Sequence, residues 1–213
     1  ETVWSWGANG NGQLGDGTQS TYRLTPVQAI GLSGITNISA GYNHSMALKS
    51  DGTVWTWGWN VRGQLGDGTL VDKYSPVQVI GLSGVIKLAG GNVHSLALEF
   101  NGRVWAWGQN GNAQLGDGTL IDSLTPVQVS GLSEITAIDG GQIHSLALKN
   151  NGTVWAWGGN LYGRLGDGTT AIATIPVQTL DQDGIDFLDL TDGYDDGYTD
   201  GYDAGYTAGY DKG

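Results

Sequence analysis

A segment that begins Val-Trp-x-Trp-Gly and ends Leu-Gly-Asp-Gly-Thr occurs four times in this chain of 213 residues. The copies start at Val3, Val54, Val104 and Val154, so successive copies are offset by 51, 50 and 50 residues. Self-similarity at this period is typical of stacked supersecondary units such as propeller blades. The chain is therefore predicted to be a tandem array, and any function it has is carried by a repeated scaffold.

The net charge of −12 is unevenly distributed along the chain. Residues 1–180 carry 11 acidic and 8 basic side chains, a difference of −3, whereas residues 181–213 carry 10 acidic and 1 basic, a difference of −9. The repeats therefore lack the excess of Lys and Arg that neutralises phosphates, which argues against nucleic acid as a direct partner. No stretch approaches the roughly 18 apolar residues of a membrane span, so no span is predicted.

Each repeat is predicted to contain four short strands. In the second unit these cover residues 94–98, 104–107, 126–129 and 135–138, and they are separated by Gly, Asn, Asp and Pro. Asn101-Gly102 tolerates the positive φ of a tight hairpin, so the first two strands should pair antiparallel. Alternation along the second strand places Trp105 and Trp107 on one face and apolar residues on the other. A strand with two apolar faces is expected to lie between neighbouring sheets.

The repeated residues resemble a known family. Gly-x-x-His-Ser-Leu-Ala-Leu, Asn-Gly or Asp-Gly, Val-Trp-x-Trp-Gly, Gly-Gln-Leu-Gly-Asp-Gly-Thr and Pro-Val-x-Val are similar to the repeat of the regulator-of-chromosome-condensation family, over residues 1 to about 190. The resemblance implies an all-β fold, a β-propeller built of four-stranded blades. It also implies a binding platform, because the founding member is a nucleotide exchange factor for a small GTPase and some exported bacterial relatives are protein inhibitors of enzymes.

The number of strands departs from the pattern of that family. Four Val-Trp-x-Trp segments accompany only three His-Ser-x-Ala-Leu segments, so the sequence predicts 15 strands, one fewer than four blades need. Residues 1–190 are assigned to propeller repeats and residues 191–213 to an acidic Gly-Tyr tail. An open arc would expose large apolar faces. The chain is therefore expected to be part of a longer propeller, or to be completed by its tail or by another chain, as in a homo-oligomer or filament.

Three recurring sets of residues could carry chemistry. The histidines are expected on separate blades, too far apart for one zinc ion, and are interpreted as packed structural residues. The aspartates between two glycines are predicted to bond their own turns, and the paired tryptophans to form the core between blades. No base and orienting acid recur beside a nucleophile, so no catalytic, cofactor or metal site is predicted. The first two sets are His44, His94 and His144, and Asp16, Asp67, Asp117 and Asp167.

Positions that vary between copies are the candidates for partner contacts. Trp59 stands where the other copies have Ala8, Gln109 and Gly159, so it is expected to lie near a loop with its ring exposed. The segments between Gly-Thr and Pro also diverge, which predicts surface loops, where binding usually resides. The other candidates are Tyr22, Arg23, Lys73 and Tyr74.

The tail repeats Gly-Tyr every four residues from Gly193 onwards, with aspartates between the pairs. A helix would align its glycines for close pairing, an extended chain would place its tyrosines on one face, and disorder with ordering on contact is the third alternative. In each case we expect the tail to bind another subunit or a partner. The tyrosines concerned are Tyr194, Tyr198, Tyr202, Tyr206 and Tyr210.

These features predict a non-enzymatic protein-interaction or structural module that self-associates or binds a protein through its loops and tail. The sequence starts at Glu1 rather than Met, so an export signal could have been removed, and an extracellular or bacterial-surface location is expected. Two alternatives stay open. One is an exchange factor, although the repeats contain no insertion that corresponds to the β-wedge hairpin associated with exchange. The other is a glycan-binding propeller that uses Trp59.

Overall fold

The computed structural model describes residues 1–180, which form fourteen strands in four antiparallel sheets. We call these sheets blades A to D in chain order. Within residues 1–180 the chain contains no helix, and hence none long and apolar enough to cross a bilayer. Blade A holds β1 (Trp4–Ala8) and β2 (Tyr22–Gln28), and blade B holds β3 (Ile35–Ala40), β4 (His44–Lys49), β5 (Val54–Gly58) and β6 (Lys73–Gln78). Blade C holds β7 (Val85–Gly90), β8 (His94–Glu99), β9 (Val104–Gly108) and β10 (Ser123–Gln128), and blade D holds β11 (Ile135–Gly140), β12 (His144–Lys149), β13 (Val154–Gly158) and β14 (Ala173–Gln178).

Blades B, C and D each consist of four strands that follow chain order from one edge of the sheet to the other. Strands β3, β7 and β11, the first of each blade, contact one another between adjacent blades, whereas β6, β10 and β14 lie at the opposite edge. The first strands are therefore innermost and the last outermost. Radial stacking of four-stranded sheets in this way is the architecture of a β-propeller, so the predicted fold class is confirmed.

The grouping of strands into blades differs from the sequence-based units. The strand that starts at Ile135 pairs with β12 and opens blade D, rather than completing the unit of His94 as expected. The outermost strand of blade C starts at Ser123, three residues earlier than the predicted start at Pro126. Proline is tolerated inside an edge strand because its missing N–H breaks no ladder there, and the register shifts between Ser123 and Val127. The predicted fifteenth strand lies outside the described residues.

The hairpins between the second and third strands of blades B, C and D agree with the prediction. Strands β8 and β9 pair antiparallel, with His94 opposite Gly108 and Leu98 opposite Val104. Gly102 in the connecting turn has a φ of +80°, a conformation that glycine adopts without steric cost. The Asn101 side chain accepts a hydrogen bond from the Arg103 N–H at 3.0 Å. Local turn chemistry therefore fixes this pairing.

The core consists of clusters that each join two adjacent blades. Trp157 of blade D is buried with Leu96, Leu98 and Val104 of blade C. Trp107 is buried in the corresponding way with residues of blade B. Apolar burial provides most of the stabilisation in such junctions. The expectation that the Val-Trp-x-Trp strand lies between two sheets is thus confirmed for these blades.

The first tryptophan pair does not follow the predicted burial. Trp57, Trp107 and Trp157 are fully buried, but Trp4 and Trp6 of blade A are 53% and 64% exposed. The cause is the direction in which these side chains face, because each buried indole packs against the preceding blade in the chain. Among the described residues no blade precedes blade A, so its tryptophans remain uncovered.

Replacement of Trp107 by Ala should lower the free energy of unfolding by about 3–5 kcal/mol, the usual loss for a large aromatic residue in a packed core. The matched control is Trp6→Ala, at the same position of blade A, which should change stability by less than about 1 kcal/mol in dilute solution. Urea unfolding followed by circular dichroism measures both. Equal effects of the two substitutions would contradict the assignment of Trp107 to the core.

Candidate interaction surface

The recurring histidines join adjacent blades. The Nε2 atom of His44 lies 2.9 Å from the hydroxyl of Ser95, and Nε2 of His94 lies 2.9 Å from the hydroxyl of Ser145. Each serine hydroxyl in turn donates to a main-chain carbonyl of the preceding blade at 2.8 Å, Ser95 to Gln64 and Ser145 to Gln114. His44 and His94 are buried. The prediction of packed, hydrogen-bonded histidines is therefore confirmed for these two.

The direction of these hydrogen bonds determines the tautomer. A serine hydroxyl has one proton, and since that proton goes to the carbonyl, its oxygen accepts from the histidine. His44 and His94 therefore carry their proton on Nε2, and each Nδ1 is buried without a hydrogen-bond partner among the described residues. A nucleophilic serine needs a histidine that accepts its proton, so this pair has the opposite polarity to a hydrolase site.

Burial of the imidazoles favours their neutral form. It lowers the pKa of His44 to about 4. Burial, together with the charges of His44 and His144, lowers the pKa of His94 to about 3. Protonation would place a charge and a second N–H in an apolar setting where no acceptor faces Nδ1. His144 is only partly buried, and burial followed by the Arg164 charge lowers its pKa as well.

These shifts predict that acid destabilises the propeller in a defined window. Well above pH 6.5, the ordinary pKa of histidine, the imidazoles are neutral in both folded and unfolded chains, so the free energy of unfolding does not change with pH through these groups. As pH falls from about 6.5 towards 4, the unfolded chain binds protons that the folded chain does not, so the free energy of unfolding decreases. The expected slope approaches about 1.4 kcal/mol per pH unit for each buried histidine.

Urea unfolding at pH 7.5, 6.5, 5.5 and 4.5 measures this slope, and His44→Gln should reduce it by about the contribution of one group. The pKa values of the turn aspartates Asp16, Asp67 and Asp167 are also lowered, so the stabilisation from these carboxylates is lost as pH falls below about 5. The slope between pH 6.5 and 5.5 therefore reports mainly the histidines. A stability that is constant between pH 6.5 and 4.5 would contradict neutral buried histidines.

The turn Leu-Gly-Asp-Gly-Thr is held as predicted. Asp67 accepts hydrogen bonds from the Thr69 N–H at 3.0 Å and from its hydroxyl at 2.8 Å. Burial raises the pKa of Asp67, but the bonds from Thr69, Lys73 and Asn60 outweigh it, and the net pKa is lowered. The same aspartate–threonine N–H bond, at 2.9–3.0 Å, occurs in all four copies.

Four buried asparagines organise these turns, and sequence reasoning missed them. In each copy the Nδ2 amide donates to the aspartate at 3.0–3.4 Å, and the Oδ1 atom accepts from the leucine N–H at 3.0–3.1 Å. The signal was available, because an asparagine follows Val-Trp-x-Trp-Gly at the same spacing in every copy. These residues are Asn9, Asn60, Asn110 and Asn160.

The basic contact candidates lie in a different setting from the one expected. Arg23 and Lys73 are on the outermost strands β2 and β6 rather than in loops. Arg23 pairs with Asp16 at 3.1 Å and Lys73 with Asp67 at 3.2 Å. Blades C and D have serine and alanine at this position, so the pair is not needed for the turn. The predicted surface loops are correspondingly shorter, and a role in partner contact stays a prediction.

The aromatic candidates occupy three kinds of environment. Tyr22 is exposed, whereas Tyr74 lies directly over Gly12 of the preceding blade and is only partly exposed. Trp59 follows β5 as expected, but it is partly buried rather than exposed. Its main-chain N–H donates to the Asn43 carbonyl at 2.9 Å, which holds the backbone of this residue against its own blade. The five tail tyrosines lie outside the described residues.

The structure reveals a central depression that sequence reasoning missed. Its volume is about 600 Å³, and it lies where the innermost strands of blades B, C and D meet the turns that follow them. The glycines of these strands allow close approach, because a Cβ on Gly90 would lie 2.7 Å from the Gly41 nitrogen. Three side chains at one repeat position line the depression, and they differ in chemistry: Tyr42, Asn92 and Gln142.

A second shared feature is a set of exposed apolar side chains in the loops that follow Gly-Thr. Five of them, from three successive blades, are at least half exposed. Blade A has Gln, Ser and Thr in this loop. We call these side chains the apolar loop residues: Leu70, Val71, Leu120, Ile121 and Ile172. Large exposed apolar residues in the same loop of three successive blades are typical of a surface suited to binding.

Within residues 1–180, no group of three or more His, Cys, Asp or Glu side chains is arranged to hold a metal ion. The described chemistry is therefore concentrated in hydrogen bonds that hold turns and join blades. The exposed side chains that differ between blades lie in the loops that follow Gly-Thr and around the central depression.

Comparison with known proteins agrees with this architecture. The family model described as the RCC1-like domain matches residues 1–192. The chain is 44% identical over 73 residues to the protein RCC2 homolog of Danio rerio, an alignment that covers 33% of this chain and 14% of that protein. It is similar in structure to human WBSCR16, with a TM-score of 0.74 and 27% identity over 84% of this chain and 47% of that chain. The predicted family resemblance is confirmed.

A third comparison shows the fold alone. The crystal structure of Prp20p from Saccharomyces cerevisiae matches with a TM-score of 0.72 at 23% identity and covers 85% of this chain and 47% of that chain. The chain thus spans less than half the length of the solved structures it resembles. It spans about a seventh of the RCC2 homolog.

Proposed function

The chain belongs to the family of RCC1-like domains, and on this premise we propose that it is a non-enzymatic module that binds a protein partner through its loops and its Gly-Tyr tail. The observation that carries the proposal is the division between uniform and variable positions. The junction tryptophan is present in every copy, whereas the loops that follow Gly-Thr and the lining of the central depression change in sequence along the chain.

The chemistry of the variable surface favours a protein over a nucleic acid. The apolar loop residues are exposed on three successive blades, and clustered apolar side chains with a polar surround are typical of protein interfaces. Two of the eight basic residues in the described part, Arg23 and Lys73, are paired with turn aspartates. The other six basic side chains do not balance the 11 acidic ones of residues 1–180, so the described surface lacks the excess of cations that a phosphate backbone needs.

The decisive experiment is capture of partners by the full chain, carried out in parallel with an Ile121→Asp variant. A charge at this exposed position should weaken capture of a genuine partner at least about tenfold, while the protein remains folded. Phe100→Asp is the matched control, since Phe100 is equally exposed at the tip of the β8–β9 hairpin in the same blade. Partners identified by mass spectrometry that bind both variants equally would count against the loop surface.

A regulatory role towards a small GTPase is the second candidate. The study that describes the Prp20p structure names binding to Gsp1p and histones, which supports protein partners for this fold. Stimulated nucleotide release from a GTPase in the presence of the purified chain would favour this candidate. Release at the intrinsic rate, with partner capture intact, would favour the general interaction module.

Absence of catalysis is part of the proposal. Its support is the polarity of the histidine–serine bonds, in which the histidine donates and the serine proton is committed to a carbonyl. Screens for hydrolase and transferase activity should therefore detect nothing above background. An activity that His94→Ala abolishes in a folded protein would make the histidine a catalytic residue and overturn this part.

We also propose an extracellular or cell-surface location, motivated by the resemblance to a family that includes exported bacterial members.

The glycan-binding alternative rests on Trp59. Because Trp59 is partly buried, it offers less stacking surface than a fully exposed tryptophan. A glycan array with wild type and Trp59→Ala distinguishes this alternative, since binding lost in the variant would favour it.

A further inference from the structure

Each junction between adjacent blades uses the same hydrogen bonds. A main-chain carbonyl of one blade accepts an indole N–H at 2.9 Å and a serine hydroxyl at 2.8 Å, both from the next blade. The carbonyls belong to Gln13, Gln64 and Gln114. In the opposite direction, a glycine N–H of the first blade donates to a carbonyl on the outermost strand of the next at 2.8–3.0 Å.

Glycine hollows complete the junction. A Cβ on Gly63 of blade B would lie 2.6 Å from the side chain of Leu124 of blade C, and one on Gly66 would lie 2.9 Å from the indole of Trp107. Both glycines are buried. The hollow over the turn of one blade is thus filled by a leucine and a tryptophan of the next, and the fit depends on the missing side chains.

Blade D carries the same turn carbonyl, glycine N–H and glycine hollows, and no other described blade covers them. Its carbonyl is that of Arg164, its amide that of Gly168, and its hollows lie over Gly163 and Gly166. Unlike Gly63 and Gly66, both of these glycines are exposed. Their nearest neighbours are Thr169 and Thr179 of the same blade. Among residues 1–180 no group bonds the Arg164 carbonyl or the Gly168 N–H.

Blade A presents the complementary set. Trp6 stands at the position of Trp107, and its indole N–H has no acceptor within the described part of the chain. Leu24 stands at the position of Leu124 and is 86% exposed. The pair Leu24 and Gly163 is therefore the same pair of residue types as Leu124 and Gly63, which meet inside the molecule.

We propose that the open face of blade D binds the open face of blade A of a second copy of this chain, in the register of the internal junctions. The Trp6 indole then donates to the Arg164 carbonyl, the Gly168 N–H donates to the Leu24 carbonyl, and the Leu24 side chain fills the hollow over Gly163. This contact goes beyond the partner binding proposed above and does not depend on it.

The two surfaces differ, so the contact is heterologous and links copies head to tail. In the other blades the junction serine lies on the second strand, which has no counterpart among the two strands of blade A. The proposed contact therefore uses only the outer half of the blade face. The junction of blades C and D shows that the residue at the hollow and the residue opposite it are matched in size. Ala113 replaces the glycine there, with a φ of +62°, and the residue opposite is the smaller Thr174.

The test is sedimentation velocity of the 213-residue chain over a concentration series, with Leu24→Asp and Gly163→Asp as variants. Aspartate tolerates the positive φ of Gly163 better than most residues, and circular dichroism checks the fold. Wild type should form species that grow with concentration. Each variant should associate at least about tenfold more weakly, since a carboxylate would be buried unpaired. Phe100→Asp, in a blade with both faces covered, should behave as wild type.

Mixing the two variants gives the sharpest outcome. Leu24→Asp keeps an intact blade D and Gly163→Asp an intact blade A, so an equimolar mixture should form a one-to-one dimer and nothing larger. Should Gly163→Asp fail to fold, Gly163→Ala should weaken association and Leu24→Thr should restore it, as in the third internal junction. A monomeric wild type, variants that associate like wild type, or a mixture that stays monomeric would each overturn the proposal.

Discussion

One main-chain carbonyl in each turn connects every blade to the next. It accepts an indole N–H and a serine hydroxyl from the following blade. At the junctions of blade B with C and of blade C with D, the serine is also bonded by the histidine of the carbonyl's own blade. This arrangement buries three polar side chains between apolar sheets without leaving the serine or the indole unpaired. The relative position of two blades is thereby specified by direction-dependent bonds, since apolar contact alone would permit sliding.

The turn that carries this carbonyl is itself held rigidly. The buried asparagine bonds the aspartate, and the aspartate bonds the threonine, within a loop whose glycines have positive φ. A carbonyl can be a reliable acceptor only where its backbone is fixed. The polar network of the turn and the apolar packing of the tryptophans therefore serve the same end, which is a constant geometry from blade to blade.

Much of this was predictable because repetition multiplies the signal. The period, the hairpin at Asn101-Gly102 and the two-sided tryptophan strand follow from local chemistry, and each is observed. The exposure of Trp6 and the assignment of β11 to blade D were not predictable, because both depend on which sheets meet in space. The ion pairs of Arg23 and Lys73 were missed because a variable position suggests surface freedom, whereas these cations bond a recurring aspartate.

The central depression escaped sequence reasoning for the same reason. Tyr42, Asn92 and Gln142 are 50 residues apart in sequence, and only radial stacking brings them around one cavity. The position of Trp59 beside a loop was predictable, but its effect on a neighbouring side chain was not. In blade C the equivalent residue, Gln109, accepts a hydrogen bond from Gln114. In blade B a tryptophan takes this place, and the Nε2 atom of Gln64 has no hydrogen-bond partner among the described residues.

Because each blade touches only its immediate neighbours, the propeller behaves as a linear array in which cooperativity passes from one junction to the next. Blade C has complete blades on both sides, whereas blade A contributes two strands to its single described junction. We therefore expect the amide hydrogens of β8 and β9 to exchange most slowly among residues 1–180, and local opening to begin at the outer blades. Because the number of covered faces differs between blades, we expect the rate of local unfolding to differ along the chain even though the blades are similar in sequence.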